Sequence, residues 1–427
     1  MSTFKKLLMA LLLMISAAAF AITDAQVFAY AEANYPDLFS GAATAGTYQT
    51  YNYQYYPASQ NYLAVDTNGM IYMLGAATGG ALAPVGAVSS FAALITAWEA
   101  QGARGKYMSV SGESLVLAST IPGNLSFDKL TSGSIVVRSS YQANDPDGIV
   151  YQEGVDYTVD YPNGTIARTM SSRIPDFSTN VLYGQHDFDQ NNFPGYTNHP
   201  FFVWVDYETS NGEDFAQPND QTPYLTTARA KLEAGGPFRI VSYGDSGTAG
   251  REASTPELAF TALYRNHLQS RFPGSTVVLE DVSKPGYTST QALAAWDATV
   301  GATSPDLVLL GWGMNDHNLG GSTPEQFKQN LVTLVGMVRN LKHADVILFS
   351  AFPPNDEWHY GTHRMNLYAE ATRQAAVETN CAYVNVFDTW AMVLQRKDQP
   401  SLLGNNINHP NDFGHWMYQQ AFAAMSF

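Results

Sequence analysis

Phe238-Arg239-Ile240-Val241-Ser242-Tyr243-Gly244-Asp245-Ser246 is the stretch on which the fold of the last third of the chain turns. Phe238–Val241 reads as a buried β-strand, and Gly244 lets the backbone turn sharply at its end. Ser246 then falls at the carboxyl end of a strand, where open α/β sheets place their reactive groups. A Gly-Asp-Ser triplet alone says little, because turns are rich in these residues. Its weight comes from later segments at expected strand ends: Pro285-Gly286, Gly313-Met314-Asn315-Asp316 and Asn408-His409-Pro410.

Working outward, strand-like and helix-like runs alternate in the manner of a parallel sheet. Pro256–Arg271 is predicted helical, Val277–Leu279 a strand, Thr290–Thr299 helical and Asp306–Leu310 a strand. A long helix over Pro324–Leu341, a strand over Asp345–Ser350, a helix over His363–Glu378 and a fifth strand over Tyr383–Phe387 follow. Right-handed crossovers would bring every motif loop to one sheet edge.

The ordered set Ser246, Gly286, Asn315 and His409 resembles the SGNH (GDSL-type) hydrolases, over about the last 190 residues, a normal domain length. The resemblance implies an open parallel sheet with helices on both faces and ester hydrolysis through an acyl-enzyme. It implies Ser246 as nucleophile and His409 as base, the chemistry a serine hydroxyl needs. The oxyanion hole would combine the backbone N–H groups of Ser246 and Gly286 with the side-chain amide of Asn315. Asp245 and Asp316 are read as structural acids.

One position departs from the family. Where it often has an Asp, three residues before the His, this chain has Asn406. Either Asn406 or a backbone carbonyl is expected to accept from Nδ1–H of His409, leaving a Ser246–His409 dyad. No Gly-x-Ser-x-Gly elbow surrounds Ser246, which disfavours a different α/β-hydrolase architecture. No cofactor is implied. His359 and His363 lack the Glu of a zincin motif and are read as lining the cleft, with no metal.

Upstream, Met1–Ala21 has Lys5 and Lys6, an apolar run from Leu7 to Phe20 and Ala19-Phe20-Ala21, the pattern of a secretory signal peptide. Residues 22–105 are expected to form a small, tyrosine-rich α+β module. It opens with a helix over Ala25–Leu38, continues in strands over Tyr48–Tyr56, Tyr62–Val65 and Met70–Leu74, and closes with a helix over Ser89–Glu99. The Asn68-Gly69 pair signals a hairpin. The module resembles small domains near the start of other secreted bacterial proteins, which brings no activity with it. Its tyrosines could stack on sugars, though tyrosine is also an ordinary strand residue.

Residues 106–225 read as a mostly β, sandwich-like domain, and 226–427 as the hydrolase domain. Asn144–Gly148 lacks EF-hand spacing and reads as a turn. The single cysteine, Cys381, excludes an internal disulfide and reads as an inert buried thiol. A formal net charge of −16 disfavours nucleic acid and anionic lipid as partners.

The combined expectation is a secreted or periplasmic serine esterase that removes acetyl or other short acyl groups, with an acetylated polysaccharide as partner and no membrane span after signal cleavage. The alternatives are a lipid or aryl esterase or acyltransferase and, from another class, a non-catalytic carbohydrate-binding envelope protein.

Overall fold

A computed structural model describes residues 23–34, 38–39, 43–75, 78, 80–88, 106–318 and 320–427. The signal-like segment 1–21 and the expected closing helix Ser89–Glu99 lie outside the described residues. The chain divides into two compact units: Met1–Val110 with Phe127–Ser134 and Tyr207–Asp214, and Ser111–Ser126 with Ile135–Asp206 and Phe215–Phe427.

In the first unit, α1 (Asp24–Asn34) precedes β1 (Thr44–Tyr48), β2 (Tyr51–Tyr56), β3 (Asn61–Asp66), β4 (Met70–Gly75) and β5 (Ala83–Ala87). The strands form an antiparallel meander in chain order. The expected single strand over Tyr48–Tyr56 is a hairpin instead, turning at Gln49-Thr50. Gly69, at φ +73°, makes the predicted β3–β4 turn possible. Strand side chains alternate between faces. One face buries Tyr56, Leu63, Val65, Ile71 and Met73 with Val27, Phe28 and Ala31 of α1. Register puts Tyr48, Tyr51, Tyr53, Tyr55, Tyr62 and Tyr72 together on the other.

The second unit begins with short β elements. Its strands are β6 (Gly123–Asn124), β7 (Val136–Arg138), β8 (Val150–Tyr151), β9 (Tyr157–Asp160) and β10 (Thr165–Arg168). The Pro162-Asn163-Gly164 turn joins β9 to β10, and β10 also pairs with β6, all antiparallel. β7 pairs with β8 and, through Trp204–Asp206, with the long strand Val203–Gly212.

The parallel sheet of the same unit comprises β11 (Gly236–Gly244), β12 (Ser275–Asp281), β13 (Leu307–Gly311), β14 (Asp345–Phe349) and β15 (Ala382–Val384). All neighbours are parallel, in the order β12-β11-β13-β14-β15. The apolar runs at β13 and β14 are continuous because both faces of these strands are covered. The crossovers carry α2 (Phe260–Arg271), α3 (Ser289–Ala294), α4 (Pro324–Lys342) and α5 (Met365–Thr379), followed by α6 (Val386–Val393) and α7 (Asp412–Ala423). α2 packs with α7, while α3, α4 and α5 pack in series, giving an α/β fold flanked by helices.

Several boundaries differ from the sequence expectation, among them those of the fifth strand and of the third helix. The fifth strand stops at Val384 rather than Phe387, because the Asn385 side chain accepts from the Asp388 N–H and starts α6. The helix expected over Thr290–Thr299 ends at Ala294 and continues as two short 3₁₀ turns.

Candidate active site

The loops after β11, β12 and β13 meet at one sheet edge. Gly244 pairs with Gly311, and a Cβ at Gly244 would lie 2.3 Å from the Gly311 carbonyl oxygen and 2.1 Å from Thr248 Oγ1. Close packing of neighbouring strand ends, rather than a sharp turn, therefore requires this glycine. Asp245 Oδ1 accepts from the Gly247 N–H at 3.0 Å and holds the turn carrying Ser246. Burial pushes the Asp245 carboxyl up to about 7, with the neighbouring Asp316 charge adding to the effect.

The loop after β12 is tied to this turn, since the Lys284 N–H donates to the Gly244 carbonyl at 2.8 Å. Lys284-Pro285-Gly286-Tyr287 closes as a turn through Tyr287 N–H to Lys284 C=O at 3.1 Å, with Gly286 at φ +80°. Proline followed by a positive-φ residue is the type II pattern. A Cβ on Gly286 would meet nothing within 4 Å. The glycine is thus required by its backbone angle and not by a crowding neighbour. Asn315 Nδ2 donates to the Tyr287 carbonyl at 2.9 Å, and Asp316 receives the Ser289 hydroxyl at 2.5 Å at the start of α3. These bonds set the Gly286 and Asn315 loops side by side. Among the described residues, the backbone N–H groups of Ser246 and Gly286 have no hydrogen-bond partner.

His409 arrives from the far end of the chain. Its Nε2 lies 2.8 Å from Ser246 Oγ. Leu403 bridges Pro410, and the Gly404 N–H donates to the His409 carbonyl at 2.9 Å, closing the loop that presents the ring. Burial holds the imidazole neutral down to about pH 4; the Glu252 charge opposes this shift and Arg251 adds to it.

The residue on the other ring nitrogen is not Asn406. Asn405 Nδ2 lies 2.9 Å from His409 Nδ1. Asn406 is at φ +57°, its carbonyl accepts from Asn355 Nδ2 at 2.8 Å, and its own Oδ1 is 3.4 Å from that same nitrogen. The physical cause is the neighbouring residue: Ile407 is buried against Leu182, Phe188 and Trp358. Seating Ile407 there with Asn406 left-handed turns Asn405 inward. The sequence reading missed Asn405. Its only signal was a second, adjacent Asn.

His359 and His363 pair separately, with Asp187 at 2.9 Å and Asp356 at 3.5 Å. Among the described residues, no cluster of His, Cys, Asp and Glu is arranged to hold a metal ion. Cys381 is buried, and burial raises its thiol pKa. No described helix is long and apolar enough to cross a membrane.

Residues 242–417 match the GDSL-like Lipase/Acylhydrolase family, a span that begins in β11 and ends in α7 and so holds every loop described above. The C-terminal region is a GDSL-like hydrolase domain. Solved structures similar to the chain include an alpha/beta hydrolase enzyme from the metagenome of Lake Arreo, Spain, at 24% identity, covering 45% of this chain and 97% of that one with a TM-score of 0.39. An acetylxylan esterase from Geobacillus stearothermophilus is 24% identical over 44% of this chain and 94% of its own, with a TM-score of 0.38. A two-domain esterase active on acetylated mannans is 21% identical over 49% and 54%, with a TM-score of 0.41. No curated protein matches the sequence. In the GDSL-like domain, the serine, glycine, asparagine and histidine singled out from sequence all lie on the loops at one edge of the parallel sheet.

Proposed function

We propose that the chain is a serine esterase in which Ser246 is the nucleophile and His409 the base. The observation that carries this reading is the 2.8 Å contact between His409 Nε2 and Ser246 Oγ, made between residues far apart in sequence. In the reaction, Oγ bonds to the ester carbonyl carbon while its proton passes to the Nε2 lone pair. The N–H groups of Ser246 and Gly286 and the Asn315 amide stabilise the resulting oxyanion. Collapse expels the alcohol, which takes the Nε2 proton, and leaves an acyl-Ser246. Water, deprotonated at Nε2, then attacks the acyl carbon, and the proton returns to Oγ as the acid departs.

Asn315→Ala is expected to lower turnover about 10²–10³-fold with little change in KM, as for removal of one preorganised donor. Unchanged turnover in a folded variant would remove Asn315 from the oxyanion hole.

The substrate reading is a short acyl, acetyl-type ester on a carbohydrate, acted on outside the cytoplasm. Two features support it. The signal-like N-terminus suits export, and the tyrosine face of the first unit suits stacking on sugar rings. On that face Tyr55 stacks on Tyr62 at 4.4 Å, Tyr53 meets Tyr62 at 5.7 Å, and Tyr48 is 65% exposed. A burst of chromophore from an aryl acetate, followed by acetate release from a panel of acetylated polysaccharides, tests the activity and the substrate together. A lipid or aryl ester accepted in place of every glycan ester would overturn the substrate part alone.

The face also gives a binding expectation. Tyr53→Ser and Tyr62→Ser together should weaken retention of the whole chain on insoluble polysaccharide, because they remove two rings from the apolar platform. Hydrolysis of a small soluble ester should be unchanged. Equal retention of variant and parent would exclude the face as a sugar platform.

A further inference from the structure

The amide of Asn405 can face only one way. Its Oδ1 accepts the backbone N–H groups of Ile407, Asn408 and His409, each at 3.0 Å. Turning the amide over would set its NH₂ group against those donors, so the network itself assigns which atom is oxygen and which is nitrogen. Nδ2 then faces His409 Nδ1 at 2.9 Å and Asn408 Oδ1 at 3.1 Å. An amide nitrogen donates and does not accept, so Nδ1 must be the acceptor. A neutral imidazole with a bare Nδ1 carries its proton on Nε2. That proton points at Ser246 Oγ, which is the reverse of what a general base requires.

We propose that Asn405 is a positioning residue that locks His409 in the Nε2–H tautomer, so that the resting Ser246 is hydrogen-bonded but not activated. Turnover then draws on the minor Nδ1–H tautomer, in which an N–H faces the Asn405 NH₂ group. The effect on rate rests on the reading of Ser246 and His409 as nucleophile and base; the tautomer assignment does not. Among the described residues no carboxylate hydrogen-bonds to Nδ1. The charged group beside the loop, Glu252, pairs with His199 at 2.6 Å. In a serine protease the same amide-for-carboxylate difference lowers turnover about 10⁴-fold by holding the wrong tautomer.

The loop is otherwise built for a carboxylate. An Asp at 405 would keep one oxygen on the backbone N–H groups and offer the other to Nδ1–H. The Asn408 amide would rotate to donate. Nε2 would then present its lone pair to Ser246 Oγ, and the imidazolium formed in the reaction would be neutralised.

Long-range ¹H–¹⁵N spectra of the full chain labelled with ¹⁵N-histidine test this directly, with His409→Gln used only to assign the ring. His409 is expected to show a protonated Nε2 and a bare Nδ1 in the parent, and the opposite in Asn405→Asp. That variant should raise kcat on an aryl acetate about 10³–10⁴-fold at neutral pH. Its added charge should also move the acidic limb of the rate profile upward from its low starting point, against the unchanged fields of Glu252, Arg251 and His415. A parent His409 protonated on Nδ1 overturns the proposal. So does an Asn405→Asp variant that switches the tautomer and leaves kcat unmoved. If Asn405→Asp does not fold, the parent spectrum decides the tautomer alone. Ser246→Ala placed on Asn405→Asp separates the two readings: retained high activity would overturn Ser246 as nucleophile while the tautomer assignment stands.

Discussion

Alanine at Ser246 is expected to lower ester hydrolysis, by an amount that depends on residue 405. Members of a nucleophile–base–orienter set act as a unit. In a well-studied serine protease, removing the serine or the histidine alone costs about 2 × 10⁶ in turnover, as much as removing all three, whereas removing the acid costs about 3 × 10⁴. In the parent chain the acid's place is held by an amide. Ser246→Ala should therefore lower turnover only by about 10², the part still supplied by an impaired pair. On the Asn405→Asp background the same change should cost about 10⁶. Ser246 is a small residue, 6% exposed, whose hydroxyl meets His409, so its loss should leave the fold intact. Single-turnover rates with a chromogenic ester, in both backgrounds, measure the dependence. Equal falls in the two would mean that Asn405 does not act through the pair. A serine-directed phosphonate should add its mass to the peptide holding Ser246, and labelling elsewhere would redirect the assignment.

The parts of this arrangement that could be read from sequence are those fixed by local chemistry. Leu307–Leu310 announces a buried strand because a strand covered on both faces has no polar side to show, whereas Phe238–Val241 reads as a strand despite the exposed Arg239 within it. Ser246, Gly286 and Asn315 each lie in a loop that follows an expected strand, so their edge of the sheet was implied by topology alone. The His409 loop is different. Which of two neighbouring asparagines turns toward the imidazole depends on where Ile407 is buried, and its partners Leu182, Phe188 and Trp358 come from elsewhere in the chain. Either asparagine tolerates a left-handed backbone, so neither composition nor spacing could choose between them. The reading of Gly244 failed for a related reason. Its need is set by the Gly311 carbonyl on the adjacent strand, not by its own turn.

The least legible feature is a buried ion pair, and it carries the largest stability expectation. Lys397 Nζ lies 2.9 Å from Glu113 Oε1, with both side chains wholly buried. The two come from distant parts of the sequence within the second unit. Glu113 Oε1 also receives the Ser126 N–H at 2.7 Å, and Lys397 Nζ reaches the Asn124 carbonyl at 3.4 Å. Each charge is thus held by its partner and by a backbone group. Lys397→Met would leave the Glu113 charge buried without its counter-ion, and is expected to destabilise the unit by about 3–5 kcal/mol. Glu113→Leu with Lys397→Met removes both charges together, and should recover most of that loss because isolated buried charge, rather than the missing attraction, dominates the penalty. Urea unfolding of the parent, the single variant and the double variant decides this, provided the transition slope stays constant. A single variant as stable as the parent would mean that Glu113 finds water or a proton cheaply. A double variant no better than the single would show instead that backbone contacts around Asn124 and Ser126, and not charge balance, hold this part of the unit together.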